Sequence, residues 1–65
     1  MWPELTGWEN LLFLGSLNKR ISKADIRTTL ERVGLDPTNP LPIKKYSLGM
    51  RQRLIVAQAI MERPN

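Results

Sequence analysis

An all-α fold of three short helices is what this sequence predicts, on three observations. Two hydroxyl residues are each followed three positions later by an acidic one, Thr6 by Glu9 and Ser22 by Asp25, which is the spacing of a helix-opening capping box. Apolar residues then recur at helical spacing, and no stretch reads convincingly as a strand. Glycine and proline punctuate the chain between these stretches.

The first helix is predicted over 7–16, capped by Thr6 and followed at once by apolar residues. Trp8, Leu11, Leu12 and Gly15 share one face while Phe13 and Leu17 lie on another, so broad burial is expected. Ser22 caps a second helix over 23–33, with Asp25 at the third position and Ile21 and Ile26 spaced as a hydrophobic staple. Ile26, Leu30 and Val33 give it an apolar stripe. Gly34 is placed to adopt the left-handed conformation that ends a helix, and Leu35 to fold back on Leu30. From Asp36 to Pro42 three prolines within seven residues impose an extended loop. A third helix follows over 48–62, stopped by Pro64, with Met50, Leu54, Ala57 and Met61 as its seam. Ile55, Val56, Ala59 and Ile60 widen its apolar surface beyond what three short helices can cover. The isolated chain is therefore expected to self-associate or pack loosely, as a piece of a larger domain would.

Sixty-five residues make one domain at most, and at this size only about 60% of the unfolded surface is buried. With neither cysteine nor histidine, no disulfide scaffold is available and no metal site is expected. A formal net charge of +4 and a pI near 10.1 favour anionic partners. The longest apolar runs, Leu11 to Leu14 and Leu54 to Ala57, fall far short of the roughly 20 residues of a membrane span, and the N-terminus lacks the basic start of a signal peptide.

Chemistry concentrates in Tyr46-Ser47-Leu48-Gly49-Met50-Arg51-Gln52-Arg53-Leu54. A helix start leaves about four amides unpaired and carries partial positive charge, which suits an anion. Ser47 can cap that start, Gly49 admits close approach to the backbone, and two arginines follow. Two other readings compete. In a helical interaction domain Ser47 is merely a cap, with Trp2, Trp8 and Tyr46 more often packed than presented to a partner. In a helix-turn-helix module, Arg51 and Arg53 would reach base edges while Lys44 and Lys45 met phosphates. Against the latter, the third helix is polar only in its first turns and at Gln58 and Glu62, and the loop before it exceeds the usual turn of about three or four residues. No nucleic-acid partner is therefore expected.

Tyr46 to Pro64 resembles the signature region of ATP-binding cassette ATPases, the nucleotide-binding domains of ABC transporters. The family pattern is L-S-G-G-Q, then glutamines, an arginine, a small and apolar helix, and a proline before the Walker B strand. Leu48 stands for the first glycine and Met50 for the glutamine, as in the Y-S-L-G-M form of a bacterial drug-export and bacteriocin-immunity branch. Upstream, Leu5-Thr6-Gly7-Trp8-Glu9-Asn10-Leu11 is similar to the L-T-G-x-E-N-L segment that follows the Q-loop in many bacterial members. Two matches in the expected order cover nearly the whole chain, and an interaction domain has no reason to produce the second.

The resemblance implies that this chain is the helical subdomain of an α/β P-loop ATPase, excised between the Q-loop and the Walker B strand. It further implies that Ser47, Leu48, Gly49 and Met50 contact the γ-phosphate of ATP held by the opposite subunit. Arg51 and Arg53 would then orient the helix or meet neighbouring subdomains. The implied partners are a second nucleotide-binding domain and transmembrane subunits, with the parent complex at the cytoplasmic, inner face of the membrane. ATP and Mg2+ are the implied cofactors of that parent.

No G-x-x-x-x-G-K-[ST] segment, paired Walker B carboxylates, Q-loop glutamine or switch histidine occurs in these residues. Phosphoryl transfer needs phosphate positioning, magnesium and an oriented water, so the parent is expected to be the ATPase. This chain alone is expected to hold no catalytic residue, to bind no cofactor and not to hydrolyse ATP.

Overall fold

A computed structural model of the chain describes residues 1–17 and 21–62. They form α1 (Gly7–Ser16), α2 (Lys23–Arg32), one 3-10 turn at Ile43–Lys45 and α3 (Leu48–Glu62). The fold is all-α, with an isolated antiparallel bridge between Thr6 and Pro42. The stop assigned to Pro64 lies outside the described residues.

Both capping boxes form. The Glu9 amide donates to Thr6 Oγ1 at 3.1 Å, and the Thr6 amide donates to Glu9 Oε1 at 2.9 Å. At α2 the Asp25 amide donates to Ser22 Oγ at 3.2 Å, and the Ser22 amide returns to Asp25 Oδ2 at 2.9 Å. α2 stops one residue short of the predicted bound, because Val33 is its cap rather than its last turn. Gly34 takes φ +83°, which a side chain would resist. Its amide donates to Glu31 O at 3.0 Å and the Leu35 amide to Leu30 O at 2.9 Å, the pair of bonds that defines a Schellman stop.

The bond from the Ser22 amide, with a further contribution from the Ser22 side chain, holds the Asp25 carboxyl below its ordinary value of 3.8. A carboxyl depressed on folding adds stability that is present above its unfolded pKa and lost as pH falls through its folded one. α2 is thus expected to loosen on acidification below about pH 3.8. Asp25→Asn should remove that part of the acid response in a titration followed by circular dichroism. Asp36, lowered likewise by its bonds from Thr38, remains to titrate in both chains, so the comparison isolates Asp25.

The core gathers Leu11 from α1, Ile26 and Leu30 from α2, Leu54, Ala57 and Met61 from α3, and Leu35, Ile43 and Tyr46 from the connections. Of the predicted α3 seam only Met50 stays half-buried. α1 meets α2 at Gly15, where an added Cβ would lie 3.3 Å from Ile21 Cγ2 and 3.5 Å from Ile26 Cδ1. Burial of α1 is narrower than its sequence suggests, with Phe13 46% and Leu17 73% exposed. Two partner helices cover one stripe of it, and Phe13 is met instead by the edge of Trp2, ring centroids 4.3 Å apart. Ile55 and Val56 on α3 are also exposed.

In the proline-rich connector, where backbone donors are scarce, side chains make the turns. The Thr38 amide and hydroxyl both donate to Asp36 Oδ1, at 2.9 and 2.7 Å, and the Leu41 amide donates to Asn39 Oδ1 at 3.0 Å. Among the described residues no helix is long and apolar enough to cross a membrane, and no acidic, cysteine or histidine cluster could hold a metal ion.

Candidate functional site

α3 begins at an exposed turn. The Met50 amide donates to Ser47 Oγ at 3.1 Å and the Arg51 amide to Ser47 O at 3.0 Å, so Ser47 is the cap of the helix. Helix geometry leaves the Leu48 and Gly49 amides, in the first two helical positions, without acceptors inside α3. Ser47, Leu48 and Gly49 are all exposed, Leu48 at 73%. Met50 differs from its three neighbours: its side chain packs against the core, and its amide is already taken by Ser47.

Gly49 is the informative member of the turn. Its φ is not positive, and nothing lies within 4 Å of where its Cβ would be. The fold therefore has no use for a glycine here. Glycine in a helix costs about 0.5–1 kcal/mol relative to alanine, and no internal contact offsets that cost.

Several bonds fix where this turn sits. Ile43 and Lys44 donate their amides to Leu5 O and Pro3 O, both at 3.0 Å, pairing the 3-10 turn with the N-terminal segment. Arg51 Nη2 donates to Lys44 O at 3.0 Å, tying the first turn of α3 back onto that pairing. Tyr46 is buried, and its Oη accepts the Gly7 amide at 3.2 Å, bridging 39 residues of sequence. Arg51 thus orients the helix, whereas Arg53 stays exposed beside Arg32, Gln52 and Gly49 at a shallow surface depression.

Sequence reasoning gave Tyr46 only a packing role and gave Asn10 none. Asn10, 4% exposed, accepts the Trp2 amide on Oδ1 at 2.7 Å and donates from Nδ2 to Thr6 O at 2.8 Å and Trp2 O at 3.1 Å. It pins the segment against which the 3-10 turn pairs. The signals were there: Asn10 is a polar residue beside core Leu11, and a buried tyrosine hydroxyl needs a partner.

Comparison with known proteins identifies the family. The profile of the ABC transporter family matches residues 1–65. The chain is 49% identical over 63 residues to the uncharacterized ABC transporter ATP-binding protein YdbJ of Bacillus subtilis, covering 97% of the chain and 20% of the relative. It is 43% identical to the uncharacterized ABC transporter ATP-binding protein YybJ of the same species, over 97% of the chain and 29% of that protein. The bacitracin transport ATP-binding protein BcrA of Enterococcus faecalis is 44% identical, over 97% of the chain and 20% of its own length. The chain thus spans under a third of each of these three relatives. No solved structure matches. With the whole chain inside the family profile and curated members aligned along nearly all of it, the protein belongs to the ABC transporter ATP-binding family.

Proposed function

We propose that this chain is the helical subdomain of an ABC transporter ATP-binding subunit, and that the Ser47–Met50 turn contacts the γ-phosphate of ATP held by the opposite subunit. The observation that carries the reading is Gly49, a glycine on an exposed helix start that the fold itself does not require. The missing Cβ at Gly49 lets the doubly charged γ-phosphate approach the Leu48 and Gly49 amides and the positive end of α3. Ser47 keeps its hydroxyl at the same surface while capping the helix. Met50 contributes by anchoring the turn from below, since its side chain faces the core. Mg2+ belongs to the P-loop side of the pocket, supplied by parts of the protein outside this chain. Partners on this reading are a second ATP-binding subunit and membrane-embedded subunits, with the ATP-binding part on the cytoplasmic side.

The test is complementation between two inactive copies of the full-length protein. One carries Gly49→Asp, whose carboxylate repels phosphate, and the other lacks its P-loop lysine. If the turn acts across the dimer, mixing the two restores up to one working site per heterodimer, because an intact P-loop then faces an intact turn. Recovery of ATP hydrolysis on mixing is expected. No recovery from mixed dimers, each variant being folded, would mean that the turn serves its own subunit or no nucleotide at all.

A further inference from the structure

We propose that Tyr46 is a positioning residue whose hydroxyl, held by the Gly7 amide, sets the location of the Ser47–Met50 turn relative to the start of α1. The inference rests on the reading of that turn as a phosphate contact. Tyr46 immediately precedes Ser47, is 8% exposed, and has extended backbone at φ −69° and ψ 148° that delivers the chain directly into α3. Apolar packing is non-directional and tolerates small slides of one helix along another. A hydrogen bond is directional, and the 3.2 Å bond from Gly7 to Tyr46 Oη ties the mouth of α3 to the mouth of α1. A phenylalanine would fill the same space and lack only that tie.

Gly7 is shaped to receive the hydroxyl. A Cβ there would stand 2.8 Å from Tyr46 Oη, closer than such atoms approach, while the next neighbours, Leu54 Cδ1 at 3.4 Å and Tyr46 Cζ at 3.7 Å, are near ordinary contact distance. The glycine and the hydroxyl are therefore one device. An alanine at position 7 evicts the hydroxyl, and a phenylalanine at position 46 makes that alanine acceptable. Two other ties act on the same joint, Arg51 on Lys44 O and the pairing of Ile43 with Leu5, so loss of the hydroxyl shifts the turn without unfolding it.

The experiment measures ATP turnover by the full-length protein carrying Tyr46→Phe, Ser47→Ala, Gly49→Ala, Gly7→Ala and the doubles. Tyr46→Phe is expected to lower kcat roughly three- to tenfold with KM for ATP nearly unchanged, because the P-loop still holds the nucleotide and one modest hydrogen bond is lost. Added to Ser47→Ala it should cost clearly less than it does alone, since part of what the residue positions is then already gone while the Leu48 and Gly49 amides remain. Gly7→Ala should reproduce the kcat loss by itself and add none in the Tyr46→Phe background. Multiplicative effects of Tyr46→Phe and Ser47→Ala, or a kcat loss no larger than the loss of folded protein by circular dichroism, would overturn the positioning role. Wild-type turnover of Tyr46→Phe beside a slow Ser47→Ala overturns that role alone. Ser47→Ala and Gly49→Ala proteins both as fast as wild type would overturn the phosphate-contact reading and the positioning role with it.

Discussion

Gly49→Ala is expected to separate folding from function: the chain becomes as stable or more stable, while the full-length protein hydrolyses ATP at least roughly tenfold more slowly. The first half follows from the backbone. Gly49 has no positive φ and open space where its Cβ would be, so the methyl meets nothing, and alanine recovers about 0.5–1 kcal/mol of helix propensity. The second half follows from where the methyl points. It projects into solvent from the turn whose free amides are proposed to meet phosphate, and displacing one such donor from a developing anion typically costs about 10²–10³ in rate. A smaller factor is expected here because the amide remains and only its approach is obstructed. Urea unfolding of the chain and steady-state hydrolysis by the full-length protein give the two numbers. A destabilised variant would show that the glycine is structural, and a variant unchanged in both would make it incidental.

That asymmetry also marks what the sequence could and could not disclose. Helix bounds were legible because their signals are local: Thr6 with Glu9, Ser22 with Asp25 and Gly34 with Leu35 each act within a few residues. Each uses backbone groups that any helix end leaves unpaired. The parts that hold the turn in place join residues far apart in sequence, and no periodicity reports them. Tyr46 reaching Gly7, Ile43 pairing with Leu5 and Asn10 clasping Trp2 and Thr6 all depend on how the N-terminal segment returns to the connector. The turn itself was visible as Ser47 and Gly49, and Met50 carried two expectations, a place in the α3 seam and a contact with phosphate, of which its side chain takes the first. Seam spacing offered the correct answer for Met50, four residues before Leu54 and on the same face.

Leu54 is where those long-range ties and the apolar core converge, and Leu54→Ala is expected to abolish cooperative folding of the chain. Leu54 is fully buried, and its Cδ1 would lie 3.4 Å from a Cβ on Gly7, so it sits at the α1 mouth where Tyr46 also arrives. Removing a buried leucine side chain costs about 2–5 kcal/mol, with the larger values where the surroundings cannot collapse into the space. Here collapse is opposed by the hydrogen bonds that fix Gly7 against Tyr46 and Ile43 against Leu5, so a cost toward the upper end is expected. A domain of this size has little more than that in reserve, about 3–5 kcal/mol from its single core. The neighbouring Ile55→Ala and Val56→Ala changes, at side chains 57% and 52% exposed, should stay within about 0.5 kcal/mol of the parent chain. Thermal and urea unfolding of the three variants makes the comparison, since all three lie within one turn of α3 and differ little in helix propensity. A Leu54→Ala chain that keeps a sharp transition close to that of the parent would mean that the joint between α1 and α3 is held by its hydrogen bonds, with the leucine contributing little.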